Sequence, residues 1–208
     1  MKLNKKTILS LLVIFILIGS IMITILPLLL DNKASEVVVF ETKRGIIEIE
    51  LYRDKAPITV ENFIKYVKEG HYNNTVFHRV ITNFVIQGGG FTPNGTEKAT
   101  HDPIKLEVNT GLSNKVGTIA MARTSSPNSA TSQFFINLVD NSESLDYSSS
   151  QNQGYAVFGK VVKGMDIVNQ MGKVNTGTKN IYLPQYNITI PYDDWPIENE
   201  LIIKAYIK

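Results

Sequence analysis

Between Val76 and Phe91 the chain reads Val-Phe-His-Arg-Val-Ile-Thr-Asn-Phe-Val-Ile-Gln-Gly-Gly-Gly-Phe, two short apolar runs parted by a tight turn and closed by three glycines. Runs of this length are strand material, and the segment sets Arg79, Phe84 and Gln87 on them. The glycines are not a phosphate cradle, because the spacing is not Gly-x-Gly-x-x-Gly and no long helix follows at once. Close backbone approach and positive φ are the expected reasons for Gly88, Gly89 and Gly90.

The same texture runs along the chain. Val37–Glu41 and Ile46–Leu51 read as strands joined by Arg44-Gly45, and the second alternates. Further short strands are expected around Phe77 and at Phe84–Gln87, Ile104–Glu107, Val116–Met121, Phe134–Leu138 and Tyr155–Val162, with Leu201–Ile207 closing the series. Pro57–Glu69 has helical spacing, with Thr59 as its N-cap, Val60, Phe63, Ile64 and Val67 on one face, and Gly70 as a left-handed stop. A second helix is expected at Met165–Met171. Ser142–Gln153 reads as a mobile polar loop, and Gly172–Asp194, with Pro184 and Pro191, as irregular chain laid over the fold. Many short strands punctuated by Gly, Asn and Ser imply a closed barrel or a sandwich, and periodicity alone does not choose between them.

The 208 residues suffice for one domain with a sizeable core plus an appendage. There is no cysteine, which removes disulfides, zinc-thiolate sites and thiol nucleophiles. His71, His78 and His101 lack metal-ligand spacing, and no Gly-x-Ser-x-Gly elbow occurs. The formal charge is +2, but Lys2, Lys5 and Lys6 supply +3, so the rest sums to −1. That leaves no electrostatic footprint for nucleic acid.

From Thr7 to Leu30 no side chain is charged, and nearly all are Ile, Leu, Val, Met or Phe. As a helix these 24 positions would reach about 36 Å, enough to cross a hydrocarbon core of about 30 Å with some tilt. A secretory leader has an apolar region of only about 7–15 residues and a small-residue cleavage site. Here the run is longer and ends in Leu28-Leu29-Leu30-Asp31-Asn32-Lys33-Ala34. The expected organisation is a cytoplasmic tail (residues 1–6), a transmembrane anchor (7–30), a polar linker (31–35) and a globular domain (36–208). Lys2, Lys5 and Lys6 orient the tail inward and the domain outward, against a weaker pull from Lys33, Lys43 and Arg44. Cleavage of the run as a leader, giving a secreted soluble protein, is the alternative.

Phe77-His78-Arg79, the turn, Phe84-Val85-Ile86-Gln87 and Gly88-Gly89 together closely resemble the signature of the cyclophilins, the cyclosporin-binding class of peptidyl-prolyl cis-trans isomerases. Two further blocks follow in order: Gly117-Thr118-Ile119-Ala120-Met121-Ala122 with Ser132-Gln133-Phe134-Phe135-Ile136, then Gly154-Tyr155-Ala156-Val157-Phe158-Gly159-Lys160-Val161. The resemblance spans residues 36–208. It implies a mainly β fold, a closed eight-stranded antiparallel barrel capped by a helix at each end, with a packed interior and the active groove on its outer face. It also implies proline-containing polypeptide segments as partners and no cofactor or metal; a monomer is expected.

On this resemblance Arg79 would donate toward the prolyl nitrogen or the adjoining carbonyl as amide resonance is lost, a task suited to a rigid, always-charged fork of donors. Gln87 would orient Arg79 and donate to the substrate backbone. Phe84, Phe135 and Leu145, with Val85 at the rim, match the proline-ring pocket, while Phe134 should face the barrel interior. Ala122, Arg123 and Thr124 match the segment that binds peptide backbone, and Gln133 matches a polar residue of the same groove. Two positions depart from the family's pattern. Tyr155 takes the last pocket position, often His in eukaryotic members, and Ser144 stands where a drug-contacting Trp or Phe is usual, which implies weak cyclosporin affinity. The function implied is acceleration of proline-limited folding of exported proteins. A non-catalytic peptide-binding or holdase module using the same groove is the alternative, and the presence of Arg79, Phe84 and Gln87 together argues against it.

Overall fold

The structure, a computed structural model, describes residues 36–208, so the expected tail, anchor and linker lie outside the described residues. Among the described residues no helix is long and apolar enough to cross a membrane. The elements run β1 (Glu36–Thr42), β2 (Gly45–Leu51), α1 (Pro57–Lys68), β3 (Thr75–Ile81), β4 (Val85–Gly88), β5 (Thr118–Met121), β6 (Phe134–Asn137), α2 (Ser142–Leu145), β7 (Val157–Lys163), α3 (Met165–Met171), β8 (Thr176–Leu183), β9 (Ile188–Pro196) and β10 (Glu200–Ile207). Eight strands close a barrel in the order β1-β10-β3-β4-β6-β5-β7-β2, and β8 and β9 form a separate two-stranded sheet. Every barrel pairing is antiparallel.

Alternation decides which side chains enter. In β2, Ile47, Ile49 and Leu51 are buried while Ile46, Glu48 and Glu50 are not. The interior is filled by Val38, Phe40, Ile47, Ile49, Phe77, Ile86, Phe134, Ile136 and Phe158, joined by Phe63 from α1. Phe63 meets Phe158 at 4.9 Å and Tyr72 at 5.1 Å between ring centroids. Full burial of each such ring is worth roughly 1.5–3 kcal/mol. Helix α1 leaves the Leu51 end of β2, whereas Ile167 of α3 packs so closely on Gly45, at the other end, that a Cβ there would lie 2.8 Å away. The two longer helices therefore close opposite mouths of the barrel.

Four expectations need correction. Helix α1 starts earlier than a Thr59 cap allows: its N-cap is Ala56, Pro57 opens the helix with a preset φ, and Thr59 sits inside the first turn. The cap comes from a distant segment, since the Glu107 carboxylate accepts the Ile58 and Thr59 N–H groups at 3.1 and 2.7 Å and the Thr59 hydroxyl at 2.6 Å. Accordingly Ile104–Glu107 is not a strand; its one bridge joins Ile104 to Ala130. Ser142–Gln153 opens with the turn of α2 rather than as plain loop. The largest error is Gly172–Asp194, most of which forms the β8–β9 hairpin around a Pro184–Asn187 turn, with Asn187 at φ 52°. Pro191 is tolerated because β9 is an edge strand, where a missing N–H breaks no ladder.

His78 is structural, but its setting is unusual. It is fully buried against Phe91, Tyr192 and Trp195, with centroids 4.8–5.9 Å apart. Neither ring nitrogen reaches a hydrogen-bond partner. Burial pushes its pKa down to about 3; polar contact with the Val76 backbone and the Gln133 side chain opposes this without reaching hydrogen-bond geometry, and the Arg79 charge adds to it. His71, which donates through Nε2 to the Gly89 carbonyl at 3.1 Å, is lowered to about 4, again mainly by burial.

Both histidines fold as neutral rings, and the unfolded chain takes up their protons near the ordinary histidine value of about 6.5. Stability is therefore complete above that pH and falls as pH drops toward 4, by up to about 1.4 kcal/mol per pH unit for each ring. Denaturant titrations from pH 7 to pH 4 should show this decline. His78→Phe, referenced to its own stability at pH 7, should lose distinctly less. An equal decline in both proteins would contradict the assignment.

Candidate active site

The site is written in the pairing register. Arg79 on β3 lies opposite Gln87 on β4, Gln87 opposite Phe135 on β6, Phe135 opposite Ala120 on β5, and Ala120 opposite Val157 on β7. Directly paired residues share a face, so these five form one outward row across five strands. Their sequence neighbours Val80, Ile86, Phe134, Ile119 and Phe158 point into the barrel core instead. Val85, Ala120, Phe135, Leu145 and Val157 make a second, smaller apolar cluster on the outside, with Phe84, Ala122 and Tyr155 packed against it.

Arg79, Phe84, Val85, Gln87, Ala122, Arg123, Phe135, Leu145 and Tyr155 line a single concavity of about 140 Å³. Nine of the expected site residues thus converge from well-separated segments. Gln133 joins them at the edge, accepting a 2.9 Å hydrogen bond from the Gln87 amide. Thr124 does not line the concavity; it is exposed and holds a turn through Ser129, its N–H and hydroxyl 3.0 and 2.8 Å from Oγ. The Phe135 and Tyr155 rings meet edge to face at 5.5 Å. The Arg123 guanidinium lies 4.6 Å above the Tyr155 ring and donates to the Gly154 and Thr124 carbonyls, which makes the rim rigid as well as cationic. Ser144 is exposed on α2, with its hydroxyl directed to the Asn141 carbonyl.

One expected contact is absent. No hydrogen bond joins Arg79 to Gln87; among the described residues the nearest carboxylate to Arg79 is Asp194 of β9, with Nε and Oδ2 3.6 Å apart. Nothing in the sequence linked these two positions.

The glycines between Gln87 and Phe91 have the roles expected. Gly89 sits at φ 87° against Phe134 and Tyr72, and a Cβ on Gly90 would lie 2.7 Å from the Gln133 side chain. The turn is pinned at the Gly89 carbonyl, which accepts from His71 and from the Ser132 hydroxyl at 3.0 Å.

Sequence reading missed a buried amide network beneath the aromatic wall. Asn141 donates to the Phe84 carbonyl at 3.0 Å and to Asn137 at 2.8 Å. Asn137 donates in turn to Asn114 and to the Thr118 hydroxyl, and Asn114 to the Leu145 carbonyl and to Asp146. The network ties Phe84 and Leu145, two walls from distant parts of the chain, to one buried polar knot. The only legible hint was Asn137 at the end of an otherwise apolar strand. Asn141→Ala leaves the buried Asn137 Oδ1 without its donor and the Phe84 carbonyl with the Leu138 N–H alone, and should cost about 1–3 kcal/mol in denaturant unfolding. A loss below 0.5 kcal/mol, on the same scale, would show that the knot does not hold these walls.

The family model for cyclophilin type peptidyl-prolyl cis-trans isomerases matches residues 37–204. A peptidyl-prolyl cis-trans isomerase of Acinetobacter baylyi is 56% identical over 149 residues, covering 72% of this chain and 78% of that protein. Peptidyl-prolyl cis-trans isomerase B of Escherichia coli is 53% identical over 157 residues, covering 74% and 95%. The crystal structure of a Cryptosporidium parvum cyclophilin type isomerase in the presence of the dipeptide Ala-Pro superposes with a TM-score of 0.64 at 25% identity, covering 83% of this chain and 98% of that one. With the signature blocks, the closed barrel and the outer groove already in place, these matches establish that the chain belongs to the cyclophilin type peptidyl-prolyl cis-trans isomerase family.

Proposed function

We propose that this chain isomerises X-Pro bonds in exported polypeptides, acting from a membrane anchor formed by residues 7–30. The isomerase activity follows from the family and from relatives at 52–56% identity. The observation that carries the site assignment is the meeting of Arg79, Gln87 and Phe84 with an apolar recess of Val85, Phe135, Leu145 and Tyr155.

The chemistry asks for little else. The barrier to isomerisation is the partial double-bond character of the C–N linkage, lost as the amide twists. No bond is made and no proton must leave. Uncatalysed exchange takes tens to hundreds of seconds, so millisecond turnover needs roughly 5–7 kcal/mol off the barrier. As resonance is lost the proline nitrogen becomes pyramidal and basic, and a fixed donor there binds the twisted state better than either planar one. Arg79 supplies that donor at any physiological pH. The aromatic recess holds the proline ring, and Gln87, Ala122 and Arg123 hold the flanking backbone while the preceding carbonyl swings.

Arg79→Ala should lower kcat/KM by more than about tenfold in a protease-coupled assay, with the fold retained because the side chain lies outside the barrel. Lysine should not restore activity, since a point charge lacks the planar fork. Wild-type turnover in Arg79→Ala would end its assignment as the central residue.

The anchor rests on the charge-free run, whose backbone is satisfied in lipid only as a helix. The full-length protein should stay with membranes through carbonate extraction, with the barrel open to external protease. A mature N-terminus near Ala34 or Ser35 in native material, with the protein in the soluble fraction, would show instead that the run is a cleaved leader.

A further inference from the structure

We propose that Asp194 is a positioning residue for Arg79, and that the β8–β9 hairpin serves to deliver its carboxylate to the groove. This rests on the reading of Arg79 as the residue that acts on the X-Pro bond. Arginine is long and has many rotamers, yet its donors must face one point on the substrate. Within the barrel nothing fixes it: the Arg79 side chain makes no hydrogen bond among the described residues, and the side chain of its cross-strand partner Gln87 is committed to Gln133. Asp194 is the one carboxylate within ion-pair reach among the described residues, and its approach is to Nε, at 3.6 Å. A partner on Nε orients the guanidinium plane from its base while leaving the terminal nitrogens for the groove.

The backbone around Asp194 departs from regular strand in a way that serves this contact. Gly177 pairs with Trp195 and Lys179 with Tyr192, so Thr178 alone faces both Asp193 and Asp194. This is a bulge, with Asp194 at φ 60°, a left-handed conformation that costs any residue with a Cβ. Tyr192 and Trp195 are three residues apart yet both pack on His78 and Phe91, which a strand of period two forbids. The extra residue turns Asp194 aside toward β3, and Asp193 is taken up by the Thr178 hydroxyl at 2.6 Å. The root of the hairpin is fixed: Trp195 is 3% exposed, stacks on the histidine preceding Arg79, and donates from Nε1 to Asn199 at 3.0 Å.

Magnitudes separate orientation from charge quenching. The pair is longer than a hydrogen bond, and its side chains are 34% and 43% exposed. Attraction between such partly solvated groups is weak and screened, so Asp194 leaves the Arg79 charge available to substrate. What remains is a bias on where the guanidinium points.

The test uses full-length protein in detergent, with wild type and Arg79→Ala assayed first. Wild type without turnover would overturn the activity itself; the comparison below bears on Asp194 alone. Asp194→Asn keeps the size and tolerates the left-handed backbone, and Asp194→Gly relieves the strain while removing the carboxylate. Both should lose about three- to fivefold in kcat with KM changed less than about twofold, at unchanged melting temperature. The Arg79 Nε–Hε resonance should broaden or shift in both. Asp193→Asn, which removes an equal charge from the same bulge, should retain wild-type kcat. Wild-type kcat in either Asp194 variant, a change confined to KM, or an equal loss in Asp193→Asn would overturn the assignment.

Discussion

The groove depends on the row of paired residues running from Arg79 through Gln87, Phe135 and Ala120 to Val157. Register matters more here than any single contact. A slip of one residue on β4 or β6 would turn Ile86, Phe134 and Ile136 to solvent and bury Gln87 without a partner. The apolar core therefore enforces the position of the polar face. The residues that fill the barrel and those that line the groove alternate along the same strands, so folding energy and site geometry are one constraint.

Two layers of support act on that row from outside the barrel. One is the Asn114–Asn137–Asn141 knot, which ties Phe84 and Leu145 to each other through satisfied buried amides. Buried amides left unpaired would be costly, and paired as they are they fix one arrangement of the loops. The other is the aromatic cluster of Phe91, Tyr192 and Trp195 around His78. There a polar ring is buried with no partner, which is affordable only because the ring stays neutral. The same cluster seats the hairpin against β3, beside Arg79.

Much of this was legible in the sequence, and the reasons are local. Strands β1, β2, β6 and β10 and helices α1 and α3 announce themselves by period and by turn residues such as Arg44-Gly45 and Gly70. Phe134 and Phe135 divided between core and groove as alternation required. Choosing a barrel over a sandwich came from the family resemblance, because periodicity describes strands and not their closure. The β8–β9 hairpin was unreadable for a physical reason: Pro184 and Pro191 mark loops in isolation, and only its place at a sheet edge makes them compatible with strand. Glu107 as a cap for α1, and Asp194 beside Arg79, are contacts between distant segments that no local pattern encodes. Thr124 matched the family's segment by position, yet its side chain is spent on a turn.

Exchange spectroscopy by NMR on a short Ala-Pro peptide, with the full-length protein at substoichiometric concentration, tests the central claim most directly. Cis and trans resonances that interconvert over tens to hundreds of seconds alone should exchange within a second in its presence. The accompanying shifts should fall on Arg79, Phe84, Gln87, Phe135 and Tyr155. Shifts at these residues without any faster exchange would contradict the account and leave the groove a docking surface.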